Sequence, residues 1–149
     1  MTDTPPTVPY WHLYVDEDGV SRQRRCALTD FEMSAISDGA TPQWNGRDYG
    51  GARTVKTVVL PAGWEGGWHR NPAPQWIIPL SGRWAVTSMD GTEVEMGPGE
   101  ISFGEDQSAA DRGDGRTGHG SRTVGDDPAV LMLVQFEAAP DRDTECPFT

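Results

Sequence analysis

The chain has 149 residues, which suits one compact domain with a single core and is too short for two ordinary domains. It carries 23 acidic against 12 basic residues, for a formal net charge of -11. A chain this acidic would repel a phosphate backbone or an anionic membrane surface, so nucleic acid and membranes are excluded as expected partners.

The first part of the chain predicts a tail and then a strand. Residues 1–9 are polar and proline-rich, which is typical of a loose tail. The following "YWHLYV" is interpreted as a strand that ends at the tight-turn signal Asp18-Gly19. Within it, His12 is interpreted as an ordinary strand histidine, because no other ligand-type residue accompanies it.

The next segment gives weaker signals. A basic cluster lies at Arg22, Arg24 and Arg25. Such a run is more often a solvated edge than a binding patch, and we assign it no function. From Leu28 to Gly51 the pattern is irregular, and "TDFEMSAI" predicts a short helical turn capped by Thr29 or Asp30.

After residue 51 the chain consists of short strand-like runs separated by turn signals. These runs are "ARTVKTVVL", "WIIPLSG", "RWAVTS", "TEVEM", "EISF", "HGSRTV" and "AVLMLVQFE". Short strands with a turn every few residues predict an all-β sandwich or barrel. We therefore expect one β domain over residues 10–137, followed by a surface tail over 138–149.

The termini and cysteines suggest a compartment. The N-terminus lacks the pattern of a signal peptide, and no stretch approaches the ~18 apolar residues that span a membrane. We therefore expect a soluble cytoplasmic protein. In that reducing compartment Cys26 and Cys146, which are far apart in sequence, are interpreted as free thiols.

The segment "GWEGGWHRNPAPQWIIPLSG", Gly63 to Gly82, has the spacing of a metal-binding motif. Five residues separate Gly63 from His69, one separates His69 from Asn71, three separate Asn71 from Gln75, and six separate Gln75 from Gly82. This resembles the first motif of the cupins, in which the positions of Asn71 and Gln75 usually hold histidine and glutamate. His69 matches the first histidine of that motif, whereas the residues at the other two ligand positions differ from it.

A second stretch resembles the second cupin motif. Gly99 supplies its opening glycine and His119 its histidine, while Thr123 stands where asparagine is usual. The segment 105–118 between them is longer than the family pattern, and loops of this length are usually functional or disordered. Small single-domain bacterial cupins share "WH…P…Q", "ED" followed by "GH", and "DGVS". The resemblance covers roughly residues 10–137 and implies a cupin-type double-stranded β-helix, a jelly-roll barrel.

The residues themselves suggest how the site is built. His69, Asn71, Gln75 and Ile77 share parity, which predicts one face of a sheet, the barrel interior. In a jelly roll the strand that begins at His119 can lie beside the first, and this would bring the two imidazoles into one cavity.

Three interpretations of that cavity remain open. His69, His119 and the amide oxygen of Gln75 can coordinate a divalent ion such as Zn, Fe, Mn or Ni, with Glu105 or Asp106 as the missing carboxylate. The equal alternative is no metal, with two histidines hydrogen-bonded in a polar pocket. The third is that these residues simply pack in the core.

The aromatic residues suggest what the cavity takes. Four tryptophans lie near the motif, namely Trp64, Trp68, Trp76 and Trp84. Such rings fill a small β core or line a pocket for a flat apolar ligand. With Asn71 and Thr123 they are the candidate substrate-binding residues.

The sequence therefore favours a small-molecule enzyme. His69, His119 and Gln75 are the candidate catalytic residues, for proton-transfer chemistry such as isomerisation, cyclisation or elimination, and metal-dependent oxygenation is a narrower alternative. The resemblance to small cupins implies an apolar or aromatic metabolite, as in natural-product tailoring. The alternative is a non-catalytic binding or sensing module. Because strand edges invite pairing, we also expect a homodimer, with the strand near Tyr10 as a contact.

Overall fold

The computed structural model describes residues 4–46, 51–138 and 146–147, and in these ranges all regular structure is β. The described strands are β1 (Val8–Val15), β2 (Ser21–Leu28), β3 (Phe31–Ser34), β4 (Gln43–Gly46), β5 (Arg53–Leu60), β6 (Glu65–His69), β7 (Gln75–Ser81), β8 (Arg83–Ser88), β9 (Glu93–Met96), β10 (Ser102–Gly104), β11 (His119–Val124) and β12 (Ala129–Phe136). The all-β prediction is confirmed. No helix in these ranges is long and apolar enough to cross a membrane.

The strands form two main sheets with the core between them. The first has the order β2-β1-β10-β7-β12-β5 and the second β6-β11-β8-β9, while β3 and β4 form a separate pair. The main core cluster takes Leu13 and Ile77 from the first sheet and Trp84 and Met96 from the second. Alternation along each strand explains this, because every second side chain points at the facing sheet.

The segment "TDFEMSAI" was wrongly predicted as a helical turn. Its central residues form β3, which pairs antiparallel with β4 from Phe31↔Gly46 to Ser34↔Gln43. The side chain of Asn45 also donates to the backbone carbonyl and the hydroxyl of Ser34. The formation of so short a strand depends on its pairing with a partner strand beyond a loop, so its own sequence pattern does not predict it.

Strand β2 contains the basic cluster and is an edge strand of the first sheet. This position agrees with the interpretation of the cluster as a solvated edge. It pairs with β1 over the full length of both strands, so β1 is an interior strand flanked by β2 and β10. The strand near Tyr10 is therefore not an open edge at which a second copy could pair. Among the described strands β2 and β5 are the edges of this sheet, and the homodimer stays a prediction.

The prediction of free thiols is wrong, because Cys26 and Cys146 form a disulfide. Cys26 lies on the outer face of the first sheet in a cluster with Tyr10, Phe103 and Phe136, and Cys146 packs against that cluster. The two cysteines are 120 residues apart in sequence, and no local pattern reveals such a pairing. Disulfides are typical of oxidising compartments, so the bond gives no support to the cytoplasmic location, which stays a prediction.

Candidate active site

The pairing of β6 with β11 brings the two predicted histidines together. His69 lies directly opposite His119 in this antiparallel pair. Their ring centroids are 4.6 Å apart, with planes inclined at 55°. The approach depends on Gly118, whose φ is +75° and where a Cβ would lie 2.2 Å from the carbonyl oxygen of His69. The predicted convergence of the two imidazoles is thus confirmed.

Both histidines line a cavity of about 270 Å³ between the two sheets. His69, Asn71, Gln75 and Ile77 all line it, which confirms that they share one face. The walls are mainly apolar and are formed by Leu13, Val58, Leu60, Trp64, Ile77, Trp84, Val86, Leu131 and Leu133. Polar side chains from both sheets interrupt these walls, so the cavity combines an apolar body with a few directed polar groups, as small-molecule sites do.

A chain of hydrogen bonds supports this polar wall. Nδ1 of His119 donates to Oδ2 of Asp106 at 2.7 Å. Oδ1 of Asp106 accepts from the backbone N–H and the side-chain Nδ2 of Asn71, both at 2.8 Å. Nε2 of Gln75 donates to Oδ1 of Asn71 at 2.6 Å, and Nε2 of Gln135 donates to Oε1 of Gln75 at 2.8 Å. The amides of Asn71 and Gln75 each have one orientation in this chain, because the oxygen of each accepts and the nitrogen of each donates.

The carboxylate of Asp106 is fully buried but remains ionised. Burial by itself raises the pKa of Asp106. The hydrogen bond from His119, the charge of that ring when it is protonated, and the two donors of Asn71 outweigh that effect and leave the pKa of Asp106 below its ordinary value. Asp106 is therefore a fixed negative group behind His119 that holds Nδ1 in its protonated form.

The two imidazoles differ in exposure. His119 is 5% exposed, whereas His69 is exposed and lies at the mouth of the cavity. Nδ1 of His69 donates to the carbonyl oxygen of Gly67 at 2.7 Å. Each ring thus has its Nδ1 occupied, and among the described residues neither Nε2 makes a hydrogen bond. Nε2 is the nitrogen that each ring can offer to a ligand.

The side chains around the imidazoles do not fit a resident metal. The oxygen of Gln75 accepts from Gln135, and Asp106 is bound to the far nitrogen of His119. Glu105, the other candidate carboxylate, instead accepts from Nε2 of the buried His12 at 2.5 Å. Within the described ranges no group of three histidine, cysteine, aspartate or glutamate side chains could hold an ion. Two imidazole nitrogens are fewer than the three protein ligands that catalytic zinc sites use.

The four tryptophans separate into two groups. Trp64 and Trp84 line the cavity, as predicted, and Trp68 and Trp76 do not. Trp76 lies on the outer face of the first sheet, with its ring centroid 5.2 Å from that of Tyr10. Trp68 packs against a small cluster that contains Met89. Alternation along the strands explains both positions. Trp68 directly precedes the inward-facing His69 and Trp76 directly follows the inward-facing Gln75, so both indoles point to the opposite face.

Three further side chains belong to this region. Thr123 is buried but lies outside the cavity, and its hydroxyl donates to the carbonyl oxygen of Pro61 at 2.9 Å. Gln135 and Lys56 line the cavity and were not predicted. A signal for both was present, since each is a polar residue that shares parity with apolar inward-facing neighbours in its strand.

Two facing sheets around a histidine-lined cavity define the class of protein as a small β-barrel with an internal cavity. The family model for the cupin domain matches residues 56–135, which is more than half of the chain. The chain therefore belongs to the cupin family, as its motifs predicted.

Solved structures similar to this chain include two bacterial proteins. One is a protein from Neisseria meningitidis, with 18% identity and a TM-score of 0.41 over 69% of this chain and 90% of that one. Another is a cupin domain from Bordetella pertussis Tohama I, with 16% identity and a TM-score of 0.41 over 73% of this chain and 95% of that one. No curated protein shows significant similarity to the chain.

Proposed function

We propose that this cupin is a small-molecule enzyme that transfers protons on an apolar or aromatic metabolite without a resident metal. The observation that carries the proposal is the arrangement of His119, which the buried carboxylate of Asp106 orients while its ring lies 4.6 Å from that of His69 in the cavity. A base held by an orienting carboxylate beside a second titratable group is the arrangement that general acid–base catalysis requires.

His119 would act as the base. With Nδ1 protonated and bound to Asp106, its Nε2 has a lone pair available to remove a proton from a carbon next to a carbonyl group. The electron pair of the broken C–H bond moves to the carbonyl oxygen, and the new imidazolium lies against the Asp106 carboxylate, which stabilises its charge. Return of the proton to another carbon gives isomerisation. Attack of the enolate carbon on a second carbonyl carbon of the same molecule, whose oxygen then takes the proton, gives cyclisation, and departure of a group with its bonding electron pair from the neighbouring carbon gives elimination.

His69 would connect this base to the solvent. It is adjacent to His119 in the ring contact but is exposed at the mouth of the cavity, whereas His119 is almost fully buried. A proton taken in the interior can therefore leave, or a new one enter, through His69. Gln75 would position rather than react, because both ends of its amide are held by Asn71 and Gln135.

The size of the cavity limits the substrate. About 270 Å³ is just below the usual range of small-molecule sites, which is roughly 300–1,000 Å³. This volume suits a molecule of one or two rings and excludes a polymer chain. The indoles of Trp64 and Trp84 in the wall favour a flat apolar body.

The test uses a probe whose reaction depends only on removal of one proton in an apolar pocket, namely ring opening of 5-nitrobenzisoxazole. We expect His119→Gln to lower the second-order rate constant about 100-fold and His69→Gln to lower it less. Asp114→Asn, a change in an exposed carboxylate beside Arg116, is the control and should leave the rate unchanged. A wild-type rate no higher than that of free imidazole at the same concentration would contradict the proposal.

A binding or sensing module remains the second candidate, and one observation favours it. The family's second and third ligand positions hold Asn71 and Gln75, and both amides are locked in a rigid hydrogen-bond chain that shapes the wall of the cavity. Such a wall can retain a ligand without reacting with it. Saturable binding of the probe with no ring opening would favour this module over the enzyme.

A further inference from the structure

The cavity differs in charge from the rest of the protein. The chain as a whole has a formal net charge of -11. None of the described residues that line the cavity is aspartate or glutamate, and the ionisable side chains there are Lys56, His69 and His119. The nearest acid to the imidazoles, Asp106, lies behind His119, which binds it together with Asn71. The only permanent charge in the described lining is therefore the ammonium of Lys56.

Strand β5 places Lys56 on the cavity wall. Lys56 alternates along β5 with Val58 and Leu60, and all three side chains line the cavity. It pairs across the sheet with Leu133 of β12, which in turn pairs with Ile77 of β7. Lys56 is thus two strand spacings, roughly 10 Å, from the backbone of β7. Because Lys56 is exposed while also lining the cavity, it stands at the rim.

Lys56 also differs from the paired cations of the structure. Four arginines have acid partners, in the pairs Arg22–Asp16, Arg83–Glu95, Arg116–Asp114 and Arg122–Glu93. Lys56, the one lysine of the chain, makes no ion pair with any described residue. Because Lys56 is exposed, water solvates its charge, but its ammonium without an acid partner among the described residues can attract the anionic group of a ligand that enters the adjoining apolar cavity.

We propose that the ligand of this cavity is an organic acid, with a flat apolar body in the interior and one carboxylate paired with Lys56 at the rim. The further step that this ligand is the substrate of the enzyme rests on the proposed function. A carboxylate fits better than a phosphate, because phosphate sites usually combine arginine forks or nests of backbone N–H groups, whereas a single ammonium matches a single charge. Lys56 is then the residue that sets the specificity for acids.

The single lysine makes a direct test simple. Reductive methylation with ¹³C-formaldehyde labels only Lys56 and the N-terminal amine and retains the positive charge. We expect 1-naphthoate to shift the Lys56 signal and to bind about tenfold more tightly than the neutral 1-naphthamide at low salt. The preference should decrease as ionic strength increases, since Lys56 is exposed.

Two substitutions separate charge from shape. Lys56→Met keeps an unbranched apolar side chain without the charge, and it should bind the acid and the amide with similar affinity. Lys56→Arg keeps the charge and should keep the preference for the acid. Equal binding of the two probes by the wild type, or a preference that survives in Lys56→Met, would overturn the inference.

The outcome is independent of catalysis. A preference for acids that depends on Lys56, found together with no opening of 5-nitrobenzisoxazole, would support this inference and contradict the proposed function. Ring opening that depends on His119, found with no preference for the acid, would support the proposed function and contradict this inference.

Discussion

The imidazole of His119 and the carboxylate of Asp106 form a buried pair, with Nδ1 of the ring donating to Oδ2 at 2.7 Å. Twelve residues separate them in the sequence, and the loop between them folds back so that Asp106 lies under the first residue of β11. Arg70 holds this loop, since its Nε and Nη2 donate to the carbonyl oxygen of Ala109 at 3.0 and 2.7 Å. The long loop thus has a positioning role.

The first prediction concerns acid stability. The pKa of Asp106 is lowered in the folded protein, so ionised Asp106 stabilises the fold above its ordinary value of 3.8, and this contribution is lost as the pH falls through the lower folded value. We expect Asp106→Asn to lower the free energy of unfolding at pH 7 by about 1–3 kcal/mol, because His119 and Asn71 lose a charged acceptor. Urea unfolding between pH 7 and pH 2 would measure it.

The control for this change is Asp114→Asn. The pKa of Asp114 is also lowered, by the backbone and side-chain donors of Arg116, but its carboxylate is on the surface. We expect almost no change in stability at pH 7 for this variant. A wild type and an Asp106→Asn variant that lose stability in parallel below pH 4 would contradict the role of Asp106.

The second prediction concerns the glycine that permits the contact of the two histidines. Gly118→Ala places a Cβ 2.2 Å from the carbonyl oxygen of His69, whereas Gly113→Ala, at a similar φ of +73°, meets nothing within 4 Å. Both variants bear the strain of a left-handed residue, about 1–2 kcal/mol. Only Gly118→Ala should lose more stability than this strain accounts for, and only this variant should also lower the rate of proton transfer. Thermal unfolding and the benzisoxazole rate measure the two effects, and equal losses in both variants would argue against this contact.

The third prediction uses two adjacent glycines to move one wall of the cavity. A Cβ at Gly66 would lie 2.4 Å from the ring of Trp64, and one at Gly67 would meet nothing within 4 Å. We expect Gly66→Ala to displace the indole and to change the affinity for 1-naphthoate several-fold, while Gly67→Ala leaves it unchanged. Fluorescence titration gives both values. Unchanged affinity in Gly66→Ala would mean that Trp64 does not contact the ligand.

The sequence was most informative where a short apolar run lies between turn signals. Strands β7 and β8 are such runs, and both were predicted. Strand β2, "SRQRRCAL", was missed because an edge strand carries charges that hide its alternation. The parity that correctly placed His69 and Gln75 on the inner face also places Trp68 and Trp76 on the other face. Alternation along β6 and β7 therefore already assigns these two indoles to the outside of the cavity.

The partners of the predicted side chains were harder to predict than the side chains. Glu105 and Asp106 are adjacent, and either could supply a carboxylate to the cavity by sequence. In the structure Glu105 accepts from His12 on β1, while Asp106 accepts from His119 on β11. That division depends on where the loop crosses the barrel, and loop geometry has no periodic signature in the sequence.

The fourth prediction concerns the disulfide. The Cys26–Cys146 bond closes a loop across 120 residues, and removal of such a bond costs about 2–5 kcal/mol, since it no longer restricts the unfolded chain. We expect Cys146→Ser to lose that much stability in urea while the benzisoxazole rate at 25 °C is unchanged, because the bond lies on the outer face of the first sheet. The reduced wild type should behave like the variant. A wild type whose stability is insensitive to reductant would show that the bond does not form in solution.

The fifth prediction concerns the metal. Asn71 and Gln75 stand at the positions that usually hold histidine and glutamate in the family resemblance, and both face the cavity with His69 and His119. Asn71→His together with Gln75→Glu would add an imidazole and a carboxylate to two imidazoles, which completes a four-ligand set with compensating charge. We expect the double variant to retain about one divalent ion per chain after dialysis and the wild type to retain far less, as measured by elemental analysis. Because the same changes remove the side-chain donor of Asn71 to Asp106, the metal-free double variant should also be less stable than the wild type. Stoichiometric metal in the wild type that His69→Ala removes would show instead that two imidazoles suffice, and the metal-free mechanism would then be wrong.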